Sequence, residues 1–332
     1  MIAVGGLTRL TDSGLSITEW APVSGAIPPM SAEDWQREFD AYREIPEYQL
    51  QNRGMSLAEF KVIYWWEWGH RQLGRFIGLV WAVGFLGFLV FRQIPPGWTG
   101  RLLLPGVLGG VQGAIGWWMV SSGLAPGMLD VASYRLAIHL GLAFVILGLL
   151  AWYIFRLGRA QTELLQARRA RERGRWGLAT GVMHLAFLQI LLGALVAGID
   201  AGRGYTDWPL MAGGLLPPDP LGIEPVWRNF FENDGLVQFL HRVAGYVLFV
   251  FGIGAWLAGR RSVHRATRRA FGDMAALMAV QVALGIVTVM NSAPWQLAIL
   301  HQATAVALWV AILRARFLAG YPRAESVRGG VR

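Results

Sequence analysis

The sequence predicts an all-α polytopic membrane protein, built as two pseudo-symmetric four-helix transmembrane bundles. Three observations carry that expectation. Of 332 residues, 54% are hydrophobic and the mean hydropathy is +0.40, more apolar than a soluble domain of this size. The apolar residues gather into long runs separated by arginine-rich or acid-bearing connections. The two halves of the chain also match in several short blocks.

The apolar runs read as spans at 72–91, 102–124, 136–155, 177–199, 237–258, 270–290 and 295–313. Each is close to the roughly 20 residues that cross a bilayer. Their connections alternate in charge. The 156–175 segment holds Arg156, Arg159, Arg168, Arg169, Arg171, Arg173 and Arg175, and the 259–269 segment holds Arg260, Arg261, Arg265, Arg268 and Arg269. Arg92 and Arg101 flank a short turn. The positive-inside rule assigns these segments and the C-terminus to the cytoplasm. The connections 8–71, 125–135, 200–236 and 291–294 are longer or acid-bearing and are expected outside. The net charge of +9 is almost wholly arginine. Its clustering between apolar runs argues for orientation in a membrane and against nucleic-acid binding. No cysteine is present, which excludes disulfides, iron–sulfur clusters, thiolate zinc sites and c-type haem attachment.

Internal matches define the repeat. Glu67-Trp68-Gly69-His70-Arg71 pairs with Gln238-Phe239-Leu240-His241-Arg242. Val111-Gln112-Gly113-Ala114-Ile115-Gly116 pairs with Val280-Gln281-Val282-Ala283-Leu284-Gly285, and Ala137-Ile138-His139 with Ile299-Leu300-His301. Gly5 to Gly14 resembles Gly193 to Gly202, which ends the 177–199 span. That last match predicts that Met1 lies near the outer end of a first helix, most of which is missing from this chain. The organisation expected is an N-terminal bundle at 1–157 with a long outer loop at 11–66, a basic cytoplasmic linker at 158–175, a C-terminal bundle at 176–316 and a cytoplasmic tail at 317–332. The apolar, proline- and tryptophan-bearing loop reads as a folded cap.

His70, His139, His241 and His301 sit at matched places, near the outer ends of the second and fourth helices of each half. An imidazole within a membrane helix is costly unless used. Two pairs on facing helices are what two haem irons need. A small residue follows each at i+4 (Gly74, Ala143, Gly245, Ala305), which would let a flat macrocycle approach the backbone. Arg71 and Arg242 stand where a guanidinium could pair with haem propionates. His184 and His264 lack matched partners and read as structural or solvated. Glu67 stands three residues before His70, where the other half has Gln238. A carboxylate there can move protons and an amide cannot, so the first half reads as reactive and the second as an electron carrier. A helix-capping role for Glu67 fits the spacing equally well. Tyr64, Trp65, Trp66, Trp68, Trp117 and Trp118 could wall a planar ligand, although an interfacial belt explains most of them.

Several blocks together resemble the haem A synthase family, in its cysteine-free proteobacterial and mitochondrial branch. They are Gly5 to Ser16, Pro28-Pro29, Glu59-Phe60-Lys61 through Glu67-Trp68-Gly69-His70-Arg71, Trp208-Pro209-Leu210-Met211, and Asn229 to Asn233 followed by Val237 to Arg242. The resemblance covers residues 4 to about 316. It implies a multi-pass enzyme of the bacterial inner membrane that oxidises a methyl group of haem O to a formyl group, giving haem A for terminal oxidases. It implies a permanent haem b between His241 and His301. The substrate haem is expected near His70 and His139, with Glu67 needed for activity. Haem O synthase, oxidase assembly factors, membrane lipid and a second copy of the chain are the partners to look for. Another branch carries a cysteine pair in outer loops, so a thiol step proposed there has no counterpart here. The residues alone leave two alternatives: a di-haem b-type electron-transfer cytochrome, and a haem-handling protein without chemistry.

Overall fold

The computed structural model describes residues 1–324. Of the expected tail, 317–332, the first residues continue the last helix, and 325–332 lie outside the described residues. The chain is helical throughout, without a β-strand among the described residues. In order the helices are α1 (Ile2–Leu10), α2 (Ala32–Arg43), α3 (Pro46–Leu50), α4 (Leu57–Val90), α5 (Thr99–Gly123), α6 (Ser133–Leu157), α7 (Gln161–Arg169), α8 (Arg173–Gly198), α9 (Asn229–Glu232), α10 (Asp234–Gly259), α11 (Arg265–Met290) and α12 (Trp295–Gly320).

Seven of them, α4, α5, α6, α8, α10, α11 and α12, are long and apolar enough to cross a bilayer. They coincide with the seven spans read from hydropathy. The largest difference is at α4, which begins at Leu57, so residues 57–66 are helix rather than loop. The cause is local. Ser56 caps α4, its hydroxyl accepting from the Glu59 N–H at 3.3 Å while the Glu59 carboxylate accepts from the Ser56 N–H at 2.8 Å. Glu67 therefore lies well inside the helix, and the capping role weighed for it belongs to Glu59. A simpler cap starts α10, where the Asn233 side chain accepts from Leu236 N–H at 2.9 Å. The repeat persists in the backbone: just past α1 and α8, the matched residues Asp12 and Asp200 both adopt positive φ, 49° and 52°. Aspartate tolerates this left-handed conformation better than most side chains.

Contacts divide the chain into two units, residues 1–146 with 197–199, and residues 147–196 with those from 200 onward. In the first unit α2 and α3 fold over the first turns of α4. Trp35, Phe39, Tyr42 and Ile45 pack with Leu15 and Ile17 of the preceding loop, with Phe60 and Tyr64 of α4, and with Val120 and Val131. Tyr42 and Phe60 are fully buried. Burying an apolar side chain of this kind contributes about 1.5–3 kcal/mol, which makes this segment a folded cap rather than a linker. In the second unit α11 lies along both α10 and α12. Gly252 and Gly259 of α10 take the side chains of Met278 and Phe271 at close approach.

A candidate haem site in each unit

Each of the four histidines faces a glycine on the neighbouring helix. A Cβ built on Gly5 of α1 would lie 2.8 Å from Cε1 of His70 on α4. At Gly116 of α5 it would lie 2.9 Å from Cε1 of His139 on α6. The second unit does the same, with Gly193 of α8 at 3.0 Å from His241 on α10 and Gly285 of α11 at 3.1 Å from His301 on α12. These glycines are needed for close approach, because any side chain would push the ring away. Gly5 matches Gly193 and Gly116 matches Gly285 in the repeat, so one seam design occurs four times. His70 lies within electrostatic range of His139, and His241 within that of His301.

A glutamine stands one helical turn before three of these glycines: Gln112, Gln189 and Gln281. Gln189 Nε2 contacts both ring nitrogens of His241, at 3.1 and 3.2 Å. Gln281 Nε2 lies 3.2 Å from His301 Nε2. Gln112 Nε2 donates instead to the His139 main-chain carbonyl at 2.8 Å. The motif Gln-x-x-x-Gly was visible in the sequence. Two of its three occurrences, Gln112 to Gly116 and Gln281 to Gly285, lie in the matched blocks, where spacing alone assigns the glutamines no role. The i+4 positions after the histidines are more crowded than expected: Met1 Cε would lie 3.5 Å from a Cβ on Gly74, and Gln189 Nε2 3.2 Å from one on Gly245.

The donor set fits a porphyrin-bound iron. Nδ1 of His70, His139 and His301 is buried without a hydrogen-bond partner, although buried polar atoms are normally paired. Among the described residues no three His, Cys, Asp or Glu side chains converge as ligands. A metal held here by two imidazoles must draw its other donors from a ligand outside the chain, as a porphyrin provides.

Glu67, 3% exposed, is the centre of a buried network. Its Oε2 accepts from the Ser16 hydroxyl and from the Ile17 N–H, both at 2.8 Å. Its Oε1 accepts from Arg71 Nε at 3.1 Å and Nη2 at 2.6 Å. Arg71 also donates to the carbonyls of Ile17 and Glu19, each at 3.0 Å, and lies over the Trp117 ring at 5.7 Å. One turn on, Arg75 holds the carbonyls of Pro22 and Ala21 at 2.9 Å. The second unit repeats the clamp in neutral form. Gln238 donates to the Tyr205 carbonyl at 3.1 Å and accepts from Arg242 Nη2 at 3.3 Å. Arg242 also donates to the carbonyls of Asp207 and Leu210, both at 2.9 Å, and of Tyr205 at 2.8 Å. Both arginines thus anchor the loop that leaves the preceding helix, a duty the sequence reading did not assign them. His184 is exposed on α8 and His264 stands just before the first turn of α11 without a side-chain capping bond; neither joins a histidine pair.

Residues 1–313 match the COX15-CtaA family model, described as cytochrome oxidase assembly protein. The chain belongs to this family. It is 70% identical over 331 residues to a protein of Dinoroseobacter shibae named Heme A synthase, covering 100% of this chain and 86% of that one. A Ruegeria sp. (strain TM1040) protein of the same name is 68% identical, over 99% of this chain and 87% of its own length. The Heme A synthase of Paracoccus denitrificans is 62% identical, over 100% of this chain and 87% of its own. Within this family frame the matched histidine seams are the candidate sites, one pair in each unit.

Proposed function

We propose that this chain is a haem A synthase, oxidising a methyl group of haem O to a formyl group through successive hydroxylations. The observation that carries this reading is the fourfold seam of one histidine against one glycine, in a chain so similar over its length to proteins named Heme A synthase. His241 and His301 would hold a resident haem b, which supplies one-electron redox chemistry when bound. His70 and His139 would receive the substrate haem.

The residues of each unit then have separable duties. Neighbouring helices fix the four imidazoles at close-packed seams, so little reorganisation is needed on loading. Glu67 sits one turn from His70 and presents a carboxylate that can take up or release a proton when its partners shift. Arg71 and Arg242 hold the loops beside the histidine ends, which excludes water from the seams, and their remaining N–H groups are the candidates for propionate contacts. In the second unit the amide of Gln238 cannot titrate, which suits electron transfer without proton uptake. The protein is proposed to lie in a bacterial inner membrane with the histidine ends toward the periplasm and the C-terminus in the cytoplasm, as the arginine distribution favours.

Pigment extraction from membranes that express the chain, with and without a haem O supply, tests the reading. The parent should carry haem b and form haem A only when haem O is present. His241→Ala should lose the resident haem spectrum. An unchanged spectrum would remove the second unit as its site. Haem b retained in the parent with no haem A formed would favour the di-haem cytochrome instead.

A further inference from the structure

Three half-buried glutamines occupy the same place on the histidine seams, and they act differently in the two units. In the second unit both imidazoles are touched at ring nitrogens: His241 by Gln189 at 3.1 and 3.2 Å, and His301 by Gln281 at 3.2 Å. Gln189 also donates to the His241 carbonyl at 3.0 Å, which ties the amide to the helix that carries the ring. In the first unit Gln112 donates to the carbonyl of His139 and leaves the ring alone. The place of Gln189 is taken there by the Met1 side chain, which has no N–H to offer. Nδ1 of His70 and His139 is buried without a partner; Nδ1 of His301 is too, but an amide touches that ring at Nε2. The glycine contacts on all four rings are otherwise alike, between 2.8 and 3.1 Å.

A ligating imidazole whose ring is hydrogen-bonded keeps its tautomer and orientation, and losing that partner typically weakens metal binding about 10–100-fold. A ring touched only by van der Waals contacts turns more freely about its terminal torsion. The Oε1 atoms of all three glutamines are buried and unpaired, so the units differ in where the amide N–H points. The Gln189 amide, within reach of both nitrogens of His241, can serve whichever is not on the metal, while the Gln281 amide holds His301 at Nε2 and leaves Nδ1 open.

We propose that Gln189 and Gln281 are positioning residues that lock the two imidazoles of the second unit, and that the first unit lacks this lock so that an imidazole there can swing off the iron. The proposal rests on the two-imidazole haem reading. It accounts for how one seam design serves a resident group in one unit and an exchanging substrate and product in the other.

The test uses the full chain, purified with its haem b. Haem transfer to excess apomyoglobin and carbon monoxide binding to the reduced haem are followed. Gln189→Leu and Gln281→Leu should each speed transfer from the second unit about 10–100-fold and open its reduced haem to carbon monoxide. Gln112→Leu should leave the second unit's transfer rate at that of the parent. Gln281→Glu, which keeps a hydrogen-bonding group of the same reach, should restore slow transfer. Parent-like transfer with no carbon monoxide band in both leucine variants overturns the proposal. So does a Gln281→Glu protein as leaky as Gln281→Leu, because the hydrogen bond would then not be the cause. If His241→Ala leaves the haem spectrum unchanged, the two-imidazole reading has itself failed and takes the lock with it.

Discussion

Replacing Glu67 by glutamine makes the two units alike at a buried position where one carries an acid and the other an amide, and the structure says what that costs. The carboxylate accepts four hydrogen bonds, from Ser16, Ile17 and two nitrogens of Arg71. A glutamine keeps one acceptor oxygen. If its NH2 points at Arg71, donors face donors. If it points at the loop, the Ser16 hydroxyl can turn to accept, but the Ile17 N–H is left without a partner. Losing a charge-assisted bond costs about 1.5–3 kcal/mol, and stranding a buried N–H about 1–3 kcal/mol. The pair is well buried, with side chains 3% and 17% exposed, so solvent screening discounts little. A net loss of about 3 kcal/mol in the local hold on residues 16–19 follows, at the lower end of the range for breaking a buried ion pair. Every 1.4 kcal/mol is about tenfold, so the Ile17 amide should exchange with solvent about 100-fold faster in the variant. Hydrogen exchange on the detergent-solubilised protein reads this directly. Haem A formation should fall while haem b in the second unit stays. Unchanged exchange at Ile17 would refute the network. Ser16→Ala keeps the carboxylate, so loss of activity in Glu67→Gln but not in Ser16→Ala would assign the defect to the acid rather than to the loop.

The cap should respond to pH through Glu47. Burial pushes this carboxyl up to about 8, although the Tyr42 hydroxyl donates to it at 3.2 Å. Unfolded glutamate titrates near about 4.3, so the folded state holds the proton more tightly. Cap stability is then fullest below that value and declines as pH rises toward 8. Thermal melts across this window should show the decline, and Glu47→Gln should flatten it. At the second histidine seam, a Cβ on Gly285 would lie 3.1 Å from the His301 ring, whereas Gly272 of the same helix has nothing within 4 Å. Gly285→Ala should shift the resident haem spectrum or weaken its retention, with Gly272→Ala as the silent comparison. Arg242→Lys replaces a fork that holds three carbonyls with a single ammonium. Losing one such bond, about 1.5 kcal/mol, should quicken tryptic cleavage after Arg203 about tenfold; an unchanged rate would show that the clamp does not hold the loop.

Membrane class, the seven spans and the matched histidines were legible in the linear order of residues. Hydropathy is a sum over about 20 neighbours, and the repeat places like residues at like depths whatever the packing. The start of α4 was misjudged, because the apolar run begins later than the Ser56–Glu59 cap that starts the helix. The glycine partners of the rings, the split roles of the three glutamines and the loop-anchoring duty of Arg71 and Arg242 were decided by the tertiary structure alone. Each depends on which side chain a neighbouring helix brings within about 3 Å, the distance at which hydrogen bonds form. A glutamine four residues from a glycine looks the same in α5 as in α11. Only the packed seam sends one amide to a main-chain carbonyl and the other to a ring nitrogen.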